Sequence, residues 1–408
     1  LMGFDLPDHI EYIRYVINNA SIPLATQGAQ MFQSPLYYLI NAVLFRVFYL
    51  VFDVETSFHL LKLLPLLLGM ATVDISYRCG RQVYPDNPQM QSLILIISGF
   101  MPMNLYMAQY IGNEILLATL SAWVILLFLG WLKKPQLMFS LKQQALMGIT
   151  LGMALLAKVS AILLVIPLLA VYIAHCRTQH IEIRPMLMIL LKVALITFLV
   201  AGWYYLRNWI LLGRPFIGGW QPQSGFVWWQ VPGYRTIFDF ISFGQALSYP
   251  IYAWMGFWDL LYSTLWVDGF LGSRFEYDTK PPWNYDYVLS SAWLSLLPSL
   301  ALLSGMVITV KKSIFSSKAV LNDTLLAEYF SLLALVVYLG AIGYLFITVP
   351  IYSQGKATYA LGLLPCFAIL GAVGLRPLIE RNMIFKIIIF SGMSWWAANA
   401  FIAYFAVQ

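Results

Sequence analysis

What most constrains this chain is a series of apolar runs, each about as long as the hydrocarbon of a bilayer is thick. A helix needs roughly 20 residues to cross about 30 Å of hydrocarbon. Runs of this kind are read at 58–77, 89–110, 114–132, 143–157, 160–175, 187–208, 288–310, 327–349, 357–375 and 384–406. Only 10% of the 408 residues are charged, where soluble domains carry roughly 25%. Backbone polar groups in hydrocarbon must be paired within the protein, so spans of this length are helices. The expected fold is all-α, a polytopic transmembrane bundle of about ten to thirteen spans. The runs at 143–157 and 160–175 are short and nearly continuous across Lys158, and predict a tight helical hairpin.

Orientation follows from the basic residues, which favour the cytoplasmic side of short loops. One set of alternate loops carries Arg78, Arg81, Lys133, Lys134, Lys142, Arg177, Arg184, Lys311, Lys312, Lys318, Arg376, Arg381 and Lys386, thirteen of the 24 Lys and Arg residues. These loops are expected in the cytoplasm. The net charge of +6 is therefore an orientation signal, and nucleic acid is not an expected partner. The other side then receives residues 1–57, the Asn113-Glu114 turn, Lys158, the loop 209–287 and the turn at 352–356. Most of the acids collect there too. Residues 35–52 are apolar enough to span, but Arg46 within them and Asp53 and Glu55 after them favour a helix lying at the interface. That placement predicts a further span before Leu1. The loop 209–287 is rich in Trp, including Trp220, Trp228, Trp229, Trp254, Trp258, Trp266 and Trp283. Such rings suit an interfacial aromatic belt and can also stack on sugars.

Carboxylates are costly near a membrane unless they sit in a loop or a wet cavity, so they are functional candidates. Asp8, His9, Glu11 and Tyr12 stand together just ahead of the first span. On a helix, Asp8 and Tyr12 are four residues apart and share a face, with Glu11 beside Asp8. A carboxylate within reach of an acceptor hydroxyl can take its proton as a general base. The competing reading is capping, since Asp5-Leu6-Pro7-Asp8 could place a cap acid just before the helix. His9, Asp8 and Glu11 could also ligate a divalent ion, but His59, His175 and His180 show no ligand spacing with His9. Cys79, Cys176 and Cys366 are scattered, with no disulfide framework and no paired metal motif. Asp74, inside a span, is expected to form a structural pair with Lys192 or another helix.

Asp8-His9-Ile10-Glu11-Tyr12 resembles the first-loop Asp-Glu-x-x-Tyr motif of GT-C glycosyltransferases, in the protein O-mannosyltransferase and lipid A aminoarabinose transferase branch. Gln33-Ser34-Pro35-Leu36-Tyr37-Tyr38 is similar to that branch's (His/Lys)-x-Pro-Pro-Leu-Tyr-Tyr segment, with Ser34 in place of the first Pro. Lys62 to Arg81 resembles its Arg-Leu…Gly…Tyr…Gly-Arg helix. Gly112-Asn113-Glu114 falls where an Asn-Asp pair is common. Gly152 to Lys158 resembles its Gly-Leu-Ala-Leu-Leu-Thr-Lys hairpin, and Arg207-Asn208 with Gly213-Arg214-Pro215 resembles Arg-Asn…Gly-x-Pro. Gln354-Gly355-Lys356-Ala357-Thr358-Tyr359 resembles Gln-Gly-Arg-Tyr. Each match is weak alone, but their order and spacing run over nearly the whole chain. His9 replaces the second acid, and Lys356 replaces an Arg, which loses a bidentate fork and keeps a cation.

The resemblance implies a GT-C-type bundle with interfacial helices in its first outer loop. It implies transfer of a sugar from a polyprenyl-phosphate donor to an unidentified protein, lipid or glycan acceptor at the extracytoplasmic face, in a bacterial inner membrane. Asp8 would be the base, assisted by Glu11 or His9. Lys158, Arg207 and Lys356 would hold the phosphate, and Tyr12, Gln33, Tyr37, Asn113, Glu114, Gln354 and Tyr359 would line the substrate site. No metal cofactor is expected for this branch. The chain divides into a first outer loop (1–57), an N-terminal bundle (58–208), the aromatic loop (209–287) and C-terminal spans (288–408). The rivals are a catalytically inactive GT-C-like subunit of a larger assembly and a transporter or flippase of a lipid-linked precursor. Sparse charge within the spans speaks against transport.

Overall fold

The structure, a computed structural model, describes residues 5–133, 139–219, 221, 235–249, 256–269, 281–315, 322–349 and 355–406. The described residues are predominantly helical: α1 Leu6–Asn19, α2 Leu36–Tyr49, α3 Val54–Leu60, α4 Leu63–Val83, α5 Pro88–Phe100, α6 Pro102–Met107, α7 Glu114–Leu132, α8 Leu141–Ala157, α9 Val165–Thr178, α10 Ile183–Leu212, α11 Phe238–Ile241, α12 Gln245–Ser248, α13 Phe257–Trp266, α14 Tyr285–Leu294, α15 Leu296–Phe315, α16 Asp323–Thr348, α17 Leu364–Ile379 and α18 Met383–Phe405. Eight stretches among the described residues are long and apolar enough to cross a membrane: Val54–Val83, Glu114–Leu132, Val159–Thr178, Ile183–Leu212, Tyr285–Ser313, Asp323–Thr348, Ala357–Ile379 and Met383–Phe405.

Two of the expected spans are not among these eight. The run 89–110 breaks at Met101, whose backbone is extended (φ −62°, ψ 115°) ahead of Pro102. Proline disfavours helical geometry in the residue before it and has no N–H to give to the helix. The run 143–157 is α8, which has 17 residues. Residues 35–52 fold into α2, whose 14 residues reach only about 21 Å. Arg46 donates from Nη2 to the Ile17 carbonyl at 2.8 Å, which ties α2 to α1.

Small residues decide which helices lie against each other. Without a hydrophobic drive between helices in lipid, close backbone approach becomes the favourable contact. Gly148 and Gly152 lie one turn apart on α8 and let α10 lie alongside in parallel. A Cβ at Gly148 would sit 2.8 Å from Ile196 Cβ, and one at Gly152 would sit 2.7 Å from Val200 Cβ. Thr197 donates to the Gly148 carbonyl at 3.1 Å across that seam. The expected tight hairpin of 143–157 with 160–175 is therefore not the packing found. A 3-10 segment, Val159–Leu164, separates α8 from α9, and the main partner of α8 is α10.

At the centre, the Ala357–Ile379 span is almost wholly enclosed, as its apolar sequence on every face requires. Gly305 on α15 and Gly374 on α17 meet backbone to backbone. A Cβ at either would overlap the other helix, at the carbonyls of Leu370 and Ala301. At one end of the bundle, buried Glu328 accepts from the Tyr84 hydroxyl at 2.9 Å and from Lys312 Nζ at 2.7 Å, joining α15 and α16 to the residue that follows α4. Asp74 pairs with Arg78 on its own helix at 2.7 Å, not with Lys192, because both side chains face outward where Lys192 is also exposed on another helix. Trp266 and Trp283 are buried in the core beside α6 and α18 rather than lying in an aromatic belt. Trp220, Trp228, Trp229 and Trp254 lie outside the described residues.

Gly374→Ala should cost about 1–3 kcal/mol through overpacking. Gly340→Ala, on α16 with no atom within 4 Å of its added Cβ, should be neutral or gain up to about 1 kcal/mol of helix propensity. Thermal unfolding in detergent distinguishes the two, and equal midpoints would refute the crossing as a constraint.

Candidate active site

The candidate site forms where α1, the turn before α7, the end of α8 and the 3-10 segment Ala357–Leu363 meet. The amphipathic pattern of α1 sets its register. His9, Ile10, Tyr12, Ile13 and Val16 are buried, while Glu11 and Arg14 are exposed. Pro7 opens the helix, and Asp8 in the first turn complements the positive end of its dipole. Asp5 is the N-terminal flanking residue, yet its side chain makes no capping bond. It stands four residues before His9 and so shares that face.

A cleft of about 70 Å³ is lined by Asp5, His9, Tyr110, Glu114, Lys356 and Tyr359, among others. Lys158 enters from behind. Its backbone is extended (φ −163°, ψ 138°) where α8 stops, and its Nζ meets Glu114 Oε1 at 2.6 Å. The two side chains are only 11% and 17% exposed. The same ammonium lies 5.2 Å from the Tyr359 ring centroid, within cation–π range. Lys356 forms no ion pair among the described residues and is half-buried at the cleft.

The segment 33–38 holds the walls in place. His9 Nδ1 is 2.8 Å from the Tyr38 hydroxyl, and the Tyr38 ring stacks on Tyr12 at 3.7 Å between centroids. Tyr37 accepts the Gly112 N–H at 3.1 Å. Asn113 Nδ2 donates to Gln33 Oε1 at 3.1 Å and to the Ala157 carbonyl at 3.0 Å. The first loop thereby grips the turn that presents Glu114 and the helix end that presents Lys158. Ser34, where the resembling segment has Pro, lies 3.3 Å from the Tyr205 hydroxyl, which itself donates to the Leu155 carbonyl at 2.7 Å.

The structure thus brings His9, Glu114, Lys158, Lys356 and Tyr359 together, with Tyr12, Gln33, Tyr37 and Asn113 supporting them. Three sequence-predicted residues are placed differently. Glu11 points outward, because α1 turns the opposite face to the bundle. Asp8 is half-buried on the first turn and does not line the cleft. Arg207 uses its guanidinium on the backbone carbonyls of Ile22 (2.8 Å) and Pro23 (3.2 Å), a clamp on the first loop. Gln354 lies outside the described residues. Asp5 is the site residue that reads as a cap in the sequence, although its spacing of four from His9 was a readable signal.

Burial holds the His9 imidazole below its ordinary 6.5; Lys158 acts in the same direction, while Glu114, Asp5 and Asp8 oppose it. Among the described residues no group of three His, Cys, Asp or Glu side chains converges as a metal site.

No protein-family model and no curated protein matches the chain. Solved structures match it along nearly its whole length. ArnT from Cupriavidus metallidurans, bound to undecaprenyl phosphate, is similar at a TM-score of 0.54 and 14% identity, over 98% of this chain and 60% of that one. The oligosaccharyltransferase of Archaeoglobus fulgidus, in complex with Zn and sulfate, is similar at 0.54 and 13% identity, over 99% of this chain and 50% of that one. The archaeal oligosaccharyltransferase AglB from the same organism, in complex with an inhibitory peptide and a dolichol-phosphate, is similar at 0.54 and 11% identity, over 99% and 51%. The chain spans between half and three fifths of the length of these proteins. The likeness establishes the fold alone, a helical membrane bundle shared with ArnT and the archaeal oligosaccharyltransferase.

Lys158→Ala should cost roughly 3–5 kcal/mol, because it leaves Glu114 buried and uncompensated. The double change Glu114→Gln with Lys158→Met should recover most of that loss, as read by thermal unfolding in detergent. His9 supplies a pH test. Its lowered folded value means that the unfolded chain takes up the proton first. The stability that neutral His9 contributes is therefore complete above about 6.5 and is lost as pH falls from there towards the folded value. The unfolding midpoint should decline over that window, and His9→Asn should flatten the decline. Parallel profiles for the two proteins would count against this account.

Proposed function

We propose that this chain is a glycosyltransferase that moves a sugar from a polyprenyl-phosphate donor to an acceptor at the extracytoplasmic face. The observation that carries the reading is the grouping of Asp5, His9, Glu114, Lys158 and Lys356 around one cleft in a GT-C fold. Its donor class is supported by the undecaprenyl phosphate bound to ArnT and the dolichol-phosphate bound to AglB. The face is supported by topology: the cleft lies at the start of α7 and the end of α8, whereas Lys133, Lys142, Arg177, Arg184 and Lys312 lie at the other helix ends.

In this reading the acceptor hydroxyl attacks the anomeric carbon, and the bond from that carbon to the phosphate oxygen breaks. A single displacement inverts the centre. Asp5 takes the acceptor's proton with His9 beside it, a role that its place in the cleft supports over Asp8. The leaving polyprenyl phosphate gains negative charge, and a fixed cation is worth most where charge develops. Lys356, with no acidic partner among the described residues, is placed for this. Lys158 adds its field but is already paired with Glu114. An apolar groove of about 690 Å³ along α8, α9 and α10, lined by Leu151, Leu155, Ile162, Val165 and Tyr205 among others, offers the prenyl tail a bed. Transport fits less well, since Asp74 and Lys192 sit on outward faces and line no polar path.

Asp5→Asn should lower transfer from a polyprenyl-phosphate sugar by about 10²–10⁴-fold, the usual contribution of a positioned base. Asp8→Asn should stay within about threefold of wild type, because Asp8 does not line the cleft. The reverse order would return the role to Asp8. A wild-type chain that assembles with partners yet transfers no sugar would point to the inactive-subunit reading.

A further inference from the structure

The cleft beside Asp5 has room for roughly five waters at about 10–15 Å³ each, given its volume of about 70 Å³. Sites that enclose a small molecule run to roughly 300–1,000 Å³. Enclosing a sugar ring fully would need one wall to yield, and the walls differ in what they would lose. The Glu114–Lys158 wall holds an ion pair at 2.6 Å. The α1 wall holds His9 against Tyr38 at 2.8 Å. The turn at Gly112 is tied to Tyr37 at 3.1 Å.

The wall at Tyr110 is different. Tyr110 lines the cleft, and behind it Trp283 stacks at 5.9 Å between centroids, with Tyr404 edge-on to Trp283 at 4.9 Å. All three residues are at least nine-tenths buried. The Tyr110 hydroxyl, the Trp283 Nε1 and the Tyr404 hydroxyl have no hydrogen-bond partner among the described residues. Native interiors leave few such groups, and each carries an unrecovered desolvation cost. Three of them in one aromatic cluster mark a wall that gains hydrogen bonds when a polar ligand parts it. The indole offers a donor, and each phenol offers a donor and an acceptor. That set matches the hydroxyls of a sugar.

The cluster is also tied to the proposed phosphate residue. Tyr106, which packs against Tyr110, Trp283 and Tyr404, donates to the Thr264 carbonyl. The Thr264 hydroxyl accepts the N–H of Ala357, next to Lys356, at 2.8 Å. A ligand with its phosphate at Lys356 would have its next group at Tyr110.

We propose that Tyr110, Trp283 and Tyr404 form the subsite that receives the sugar of the donor and selects among sugars by its hydroxyls. The proposal rests on the reading of this chain as a polyprenyl-phosphate-dependent transferase. The test compares binding of undecaprenyl phosphate and of undecaprenyl-phosphate hexoses and pentoses to the purified chain in nanodiscs. Wild type is expected to bind at least one sugar-bearing lipid more tightly than the bare phosphate. Tyr110→Phe and Tyr404→Phe should each weaken that lipid by roughly five- to tenfold, the scale of one hydrogen bond, while bare undecaprenyl phosphate stays within twofold. Their unfolding midpoints should match or exceed wild type, since each removes an unpaired buried hydroxyl. Equal losses on both lipids, no loss on either, or a lowered midpoint in both variants would overturn the subsite. If wild type binds neither kind of lipid, the donor reading itself falls, and the subsite falls with it.

Discussion

The buried pair of Glu114 and Lys158 is the interaction on which the site's geometry depends. It joins the first residue of α7 to the residue that ends α8, and both charges are largely removed from water. An ion pair in such surroundings is weak support for stability in its own right, because desolvation offsets much of the attraction. Its effect is positional: neither charge can leave without stranding the other, so the two helix ends stay in register. The pair also shapes the cleft's electrostatics. Lys158 is largely neutralised by Glu114, which leaves Lys356 as the cation with no ion-pair partner among the described residues, and it contributes to the field that acts on His9.

Around that pair, the segment Gln33 to Tyr38 works as a brace. Tyr37 and Gln33 reach to Gly112 and Asn113, while Tyr38 reaches to His9 and stacks on Tyr12. Aromatic side chains suit this task because each buries a large apolar ring yet carries a polar tip that needs a partner. Arg207 complements the brace from α10, holding the carbonyls of Ile22 and Pro23. The first loop is thus fastened to the bundle at both ends, and Asp5 and Lys356, which line the cleft it helps to frame, come from segments far apart in the chain.

Much of the site is legible in the amino-acid sequence. His9, Glu114, Lys158, Lys356 and Tyr359 stand out as polar residues at the ends of apolar runs, where charge is rare enough to be informative. Tyr37 and Tyr38 stand out through their likeness to a family segment. Rotation is what the sequence does not convey. Asp5, Asp8 and Glu11 lie within seven residues of one another, and each step along a helix turns the side chain by about 100°. Only the packing of His9, Tyr12 and Ile13 against the bundle settles that Asp5 faces the cleft, that Asp8 sits at its margin and that Glu11 faces away. The destination of Asp74 is unreadable for the same reason. Its cation lies one turn away on its own helix, and an interhelix pairing needs a facing direction that spacing alone does not supply.

The sequence by itself determined that the chain is a bundle of membrane-crossing helices, because apolar length and sparse charge leave the backbone no other way to satisfy its hydrogen bonds in hydrocarbon. It also determined that the polar residues of interest gather at the helix ends away from the basic loops, since the cost of burying charge sorts them there. Tertiary structure alone decided which helices touch. Gly148, Gly152, Gly305 and Gly374 are ordinary small residues in the sequence and become contacts only when another backbone arrives within reach. It likewise decided that Tyr110, Trp283 and Tyr404 share one buried cluster with unmet hydrogen bonds. Pairings between residues hundreds of positions apart depend on the shape of the packed bundle, which no local pattern encodes.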